Sequence, residues 1–277
     1  MFNVTTIESG YFMADGGAMF GAIPKRAWSR KYVCTDDNLC SLAMRCVLAV
    51  SSDGKRKVLI DLGMGDKHLS QANYYQPYDL LNIADALDSH GYHSNDITDV
   101  VLTHLHFDHC GYATLKDVNG DVIPSFPNAN YWLSGQQWRN ILSPNRLEQD
   151  AIFADNILPI QEAGLLHLID EDTMLYDGFR LRLFDGHSVG QLVVYIEGKD
   201  GVIVFPGDLI PTSAHVSLEW ISAYDLCALT SLAEKQRFLE EAESNNYMLI
   251  YYHDARVVKS KVKKINDNYK ATDLHYS

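Results

Sequence analysis

The stretch Val100-Val101-Leu102-Thr103-His104-Leu105-His106-Phe107-Asp108-His109 decides how this chain reads. A short apolar run leads straight into three histidines and an aspartate. Histidines at i and i+2 face opposite sides of a helix, so His104 and His106 belong to an extended segment entering a turn. Such a turn can aim His104, His106, Asp108 and His109 into one small volume. Imidazole and carboxylate together suit zinc, manganese, iron or cobalt. With 11 histidines and 36 acidic residues among 277, chance supplies only about 0.002 such patterns.

Further donors stand at other strand ends. His187 follows the alternating run Phe179–Leu183, and His253 follows the apolar run Tyr247–Tyr252. Asp208 closes a hairpin read from Leu192–Ile196 and Val202–Phe205 around Gly198-Lys199-Asp200-Gly201. An earlier hairpin, Cys46–Val50 and Val58–Asp61, also runs into an aspartate and a glycine. That echo suggests two related halves, with two sheets covered by helices. One helix is expected from the capping-box spacing Ser231–Glu234, and a second from Ser134–Gln137. A third is expected from Ser143-Pro144 to Leu158, stopped by Pro159.

Composition sets the frame. The hydrophobic fraction is 47% and the charged fraction 21%, as in ordinary globular proteins. A net charge of −13 argues against general nucleic-acid binding and against docking on anionic membranes. No apolar run approaches the ~20 residues of a membrane span. The first residues lack the basic and apolar regions of a secretory signal. Five scattered cysteines, with no CxxC pair, fit a reducing cytoplasm. Cys110, beside the histidine segment, reads as a small buried residue.

HxHxDH, then Gly186-His187, Gly207-Asp208 and His253, in this order, resembles the metallo-β-lactamase superfamily. The resemblance runs from about Asp61 to His253. It implies an α/β fold, an αββα sandwich of two similar halves with two mixed sheets. It also implies one domain over 1–277, with a substrate-covering insertion at about 112–170. It implies two divalent metal ions, zinc first, with manganese, iron or cobalt as alternatives. His104, His106 and His187 would hold one; Asp108, His109 and His253 the other; Asp208 would bridge them. Asp61 would orient a ligating histidine by accepting its other N–H.

Two segments narrow the likeness. Gly17-Ala18-Met19-Phe20-Gly21-Ala22-Ile23-Pro24-Lys25-Arg26-Ala27-Trp28 and Phe205–Thr212 resemble the acyl-homoserine lactonases of the methyl parathion hydrolase-like branch. That branch implies a small acyl lactone as substrate and opening of its ring by a hydroxide held between the metals. Asp108 would return a proton to the leaving group. It also leads us to expect a homodimer. One departure stands out: the tyrosine expected three residues after the bridging aspartate is Pro211 here. His215 is the nearest replacement and Tyr224 a more distant one. Met19, Phe20, Trp28, Ile152, Phe153 and Tyr224 are the expected pocket residues. Competing expectations are another lactonase, an aryl esterase or a phosphotriesterase of the same fold. A mononuclear iron persulfide dioxygenase and a non-catalytic metal-stabilised binding protein are further alternatives.

Overall fold

The computed structural model describes all 277 residues. Sheet 1 takes six strands in chain order: β1 (Phe2–Asp15), β2 (Leu39–Ser51), β3 (Lys57–Ile60), β4 (Asp99–Val101), β5 (Asn130–Ser134) and β6 (Leu166–Ile169). Sheet 2 takes seven: β7 (Thr173–Tyr176), β8 (Phe179–Phe184), β9 (Gln191–Gly198), β10 (Gly201–Phe205), β11 (Met248–Ile250), β12 (Val257–Ile265) and β13 (Asn268–Tyr276). Both sheets are mixed. In each half an antiparallel hairpin is followed by a parallel strand: β2–β3 then β4, and β9–β10 then β11. This repeat is the hairpin echo of the sequence.

Alternation along the strands builds the layers. Val47 and Ala49 of β2 face Leu192, Val194 and Ile196 of β9 in the core between the sheets. Cys46 and Leu48 point the other way, under helix α1 (Ile83–Ser89). Val193 and Tyr195 point to the far side of sheet 2, where Phe238, Leu239 and Ala242 of helix α4 (Ala228–Ser244) cover them. Helices α2 (Gly135–Leu142) and α3 (Leu158–Glu162) complete the outer layer on sheet 1. The order is therefore helices, sheet, sheet, helices, as expected.

Three local expectations fare differently. Ser134 caps α2, accepting a bond from the Gln137 N–H at 3.1 Å. Helix α4 begins at Ala228, three residues before Ser231, so Ser231 is interior. Glu234 then turns outward from its helix and accepts from the Asp185 and Gly186 N–H groups. The helix expected from Ser143 to Leu158 does not form. That stretch is a chain of turns with one 3-10 turn over Ala154–Asn156, and Pro159 sits in the first turn of α3 rather than ending a helix. The reason is local: Asn145 takes the Leu147 and Glu148 N–H groups on its side-chain oxygen, an Asx turn that competes with helix. The range 112–170 also supplies β5 and β6 to sheet 1, so part of it belongs to the body of the fold. No helix is long and apolar enough to cross a membrane.

Candidate metal centre

Strand β4 ends at Val101, and the chain then turns through His104 and His106 into a one-turn helix over Phe107–Cys110. His187 arrives from the turn between β8 and β9, Asp208 from the end of β10, and His253 from just past β11. All seven expected donors therefore meet where the ends of the two sheets face each other. His104 Nε2 and His187 Nε2 lie 3.0 and 3.3 Å from His106 Nδ1. Asp108 Oδ2 lies 3.8 Å from His109 Nε2 and 3.5 Å from His253 Nε2. Asp208 faces both groups: Oδ1 is 3.4 Å from His109, while Oδ2 is 3.4 Å from His187 and 3.3 Å from His253. Three donor sets, His104/His106/His187, His104/His109/Asp208 and Asp108/His109/His253, each keep their atoms within 4.8 Å of one another.

Each ring is held from behind. The His109 Nδ1–H donates to Asp61 at 2.8 Å, that of His187 to Asp225 at 2.9 Å, and that of His253 to the Ala43 carbonyl at 2.9 Å. His106 donates through Nε2 to Glu148 at 3.1 Å. His104 leans on Thr103 Oγ1, which donates to Asp61 at 2.8 Å. Asp61, expected in this role, thus orients two histidines, and holds a left-handed backbone (φ 52°) to do so. Every histidine is left with one nitrogen aimed inward. Glu148 and Asp225 were not found from the sequence. Neither stands at a fixed spacing from the histidines, and only the fold brings them there.

Carboxylates and imidazoles shift one another's charges here. Burial alone would raise the Asp208 carboxyl, but His253, His109 and His187 outweigh it and hold it well below the usual range. His104 is pushed well down by burial and by its histidine neighbours. Buried His109 Nε2 and Asp208 Oδ1 have no hydrogen-bond partner. Two buried, inward donor atoms 3.4 Å apart with no hydrogen bond are what a divalent cation would satisfy, so the residues present fit the metals that this donor chemistry implies.

Beside the donors lies a cavity of about 280 Å³. Its walls include Phe12, Met19, Leu42, Tyr75, Phe107, Leu147, Pro211, Tyr224 and Leu226. Met19 and Tyr224 are where the sequence placed them. Phe20, Trp28, His215, Ile152 and Phe153 are not in this wall. Phe20 stacks on Trp28 and on His215, each with centroids 4.9 Å apart, as a buried buttress. His215 donates its Nε2–H to the Met19 carbonyl at 2.9 Å and accepts from the Thr212 hydroxyl through Nδ1 at 2.7 Å, so it supports Met19 from behind. Ile152 is buried in the outer core, and Phe153 stacks on His68 at 4.2 Å. Aromatic and apolar character could not separate wall from buttress. Tyr75, which the sequence reading passed over, lines the cavity with Tyr224, and neither hydroxyl has a hydrogen-bond partner within the chain. Burial raises the Tyr224 hydroxyl above its ordinary value, so it is a donor. Burial likewise pushes the Cys110 thiol up to about 12, which leaves it inert.

Known proteins place this arrangement. A probable metal-dependent hydrolase from Staphylococcus aureus superposes with a TM-score of 0.87 at 26% identity, over 98% of this chain and 97% of that one. AidC, a dizinc quorum-quenching lactonase with a bound product, superposes with a TM-score of 0.79 at 19% identity, over 100% of this chain and 95% of that one. Cleavage and polyadenylation specificity factor subunit 3-II of Arabidopsis thaliana is 26% identical over 196 residues, 67% of this chain. This chain spans about 30% of that relative's length. The family model of the metallo-beta-lactamase superfamily matches residues 45–253, which hold every donor described above. With that match over most of its length, the chain belongs to the metallo-beta-lactamase superfamily.

Proposed function

We propose that this metal-dependent hydrolase opens the lactone ring of N-acyl-homoserine lactones, with two zinc ions as its cofactors. The observation that carries the reading is a cage of seven His and Asp donors opening into a cavity that is also lined by apolar side chains. A substrate that fits both needs a polar carbonyl at one end and a hydrocarbon chain at the other. When bound, the metal pair supplies an activated water and a Lewis acid for the carbonyl oxygen. Asp108 lines the cavity beside His109 and His253, placed to hold a proton and return it to the departing ring oxygen. The Tyr224 hydroxyl, with Tyr75 next to it, donates to the substrate carbonyl in place of the tyrosine that Pro211 displaces. Phe12, Met19, Leu42 and Leu226 receive the acyl chain and exclude water from it. AidC and an N-acyl homoserine lactone hydrolase with bound N-hexanoyl-L-homoserine, 20% identical with a TM-score of 0.69, share the fold that frames this reading.

A second reading, hydrolysis of aryl esters or phosphotriesters, draws on the aromatic rings of Tyr75, Phe107 and Tyr224 in the wall. Proton release measured at constant pH, with hexanoyl- and dodecanoyl-homoserine lactone and with p-nitrophenyl acetate and a phosphotriester, separates the two. Rapid lactone opening that Tyr224→Phe slows at least tenfold is expected. Turnover of the aryl esters alone would assign the second reading.

A further inference from the structure

Alternation along the β1–β2 ladder places a second, larger cavity behind the first. Phe12 and Leu42, paired across the ladder, face the metal-centre cavity; their neighbours Met13 and Ser41, also paired, face the other way. There a groove of about 690 Å³ runs between the 31–35 loop, the 213–217 turn and the β12–β13 hairpin. It shares no lining residue with the metal-centre cavity. Its size lies within the ~300–1,000 Å³ of small-molecule sites.

Its chemistry is two-sided. Val33, Leu274 and Tyr276 give it exposed apolar walls, over a floor that includes the buried Tyr32 and Val216. Lys31, Arg256 and Lys270 also line it, and none of the three takes part in an ion pair. Three cations against a single acid give this groove a positive lining in a chain of net charge −13. The single lining acid, Asp254, is fully engaged: it accepts from Ser213 N at 2.9 Å, Ser213 Oγ at 2.6 Å, Arg256 N at 3.0 Å and Val257 N at 2.8 Å. The groove thus keeps unspent positive charge above a hydrocarbon-like surface. Tyr32 ties this floor to the metal centre, its one O–H shared between the carbonyls of Ser41 and His253 at 2.8 and 3.0 Å.

We infer that this groove is a second binding site, separate from the metal centre, for an amphiphilic carboxylate: one anionic head among Lys31, Arg256 and Lys270, and an alkyl chain against Val33, Leu274 and Tyr276. Charge complementarity selects the head, and the apolar walls select the chain. The inference stands whether or not the lactonase reading holds.

Isothermal titration of the metal-loaded protein with decanoate, below its micellar concentration, tests it. Decyl glucoside, with the same chain and no charge, is the control ligand. Two decanoate sites are expected, the groove and the metal centre. Lys31→Glu combined with Lys270→Glu should weaken one site at least tenfold and leave hydrolysis unchanged. Ala271→Trp, which fills the groove and keeps its charges, should remove the same site. Equal decanoate binding by both variants and the parent would overturn the inference. So would binding of decyl glucoside as tight as that of decanoate. A charge reversal that only splits a dimer would overturn it too, by showing the groove covered by a second copy.

Discussion

Glu148 sits buried in a loop with no regular structure, yet its carboxylate collects His106, Ser188, Asn140 and Asn145. Those bonds outweigh burial and hold its pKa down to about 2. It therefore stays charged and fixes the His106 ring with Nδ1 inward. Glu148→Gln should weaken metal retention about 10–100-fold, read by competition with a chromophoric chelator, with the fold unchanged. Unchanged affinity would reduce Glu148 to a loop anchor. His215 has the opposite status. Burial first, and Lys235 second, push its pKa down to about 4 from the ordinary 6.5. The unfolded chain gains a proton near 6.5 that the folded chain refuses, so the stability His215 contributes is complete above 6.5. It is lost as pH falls toward 4. Against His215→Phe, the parent should lose about 2 kcal/mol of its relative stability between pH 7.5 and 5, read from urea midpoints. A difference between the two that does not change with pH would show the folded ring taking up its proton as readily as the unfolded chain. The seven metal donors were legible because their spacing and strand-end positions are local signals. His215 was not: its sequence position beside Pro211 suggested the pocket, and only packing shows it behind Met19.

At the scale of elements, α4 and the His187 turn are locked together. Glu234 holds the Asp185 and Gly186 N–H groups, and a Cβ on Gly186 would fall 2.5 Å from the backbone N and Cα of Ser231. Ser231 lies inside a long helix and its backbone cannot rotate aside as a side chain would, so Gly186→Ala must shift the His187 turn. A displacement near 1 Å predicts about 100-fold lower kcat with far-UV circular dichroism preserved. Wild-type kcat in that variant would show the turn to be compliant. The hairpins were readable from sequence because apolar runs and turn residues define them over a few positions. The 143–158 stretch misled because Leu147, Ala151, Ala154 and Leu158 share helical spacing by coincidence. Leu147 is 80% exposed at the cavity rim, while Asn145 and Glu148 commit the chain to turns.

Across the whole molecule, the cage joins the two halves. His104, His106, Asp108 and His109 come from the sheet 1 half; His187, Asp208 and His253 come from the sheet 2 half. The Ala43 and Arg45 N–H groups of β2 bond to the His253 and Tyr252 carbonyls at 3.1 and 3.2 Å, the adjoining seam. Metal binding should therefore stabilise the fold as a unit. At a free concentration 100 times Kd the gain is about 2.7 kcal/mol, so chelation should lower Tm by about 5–10 °C in differential scanning fluorimetry. An unchanged Tm would mean that the halves hold without the cage. The two-layer architecture was legible because strand alternation and hairpin repeats recur in each half. The cavity wall was not, because it is assembled from β1, β2, the 147–151 loop and the 222–226 segment, far apart in the chain.

The seven donors are proposed to form one two-metal centre, with Asp208 shared between its halves. Metal content by inductively coupled plasma mass spectrometry, on the purified protein and on Asp208→Ala after identical buffer exchange, tests it directly. Two divalent ions per chain are expected in the parent and one or none in the variant, both folded by circular dichroism. A single iron per chain in the parent, or equal content in both, would contradict it.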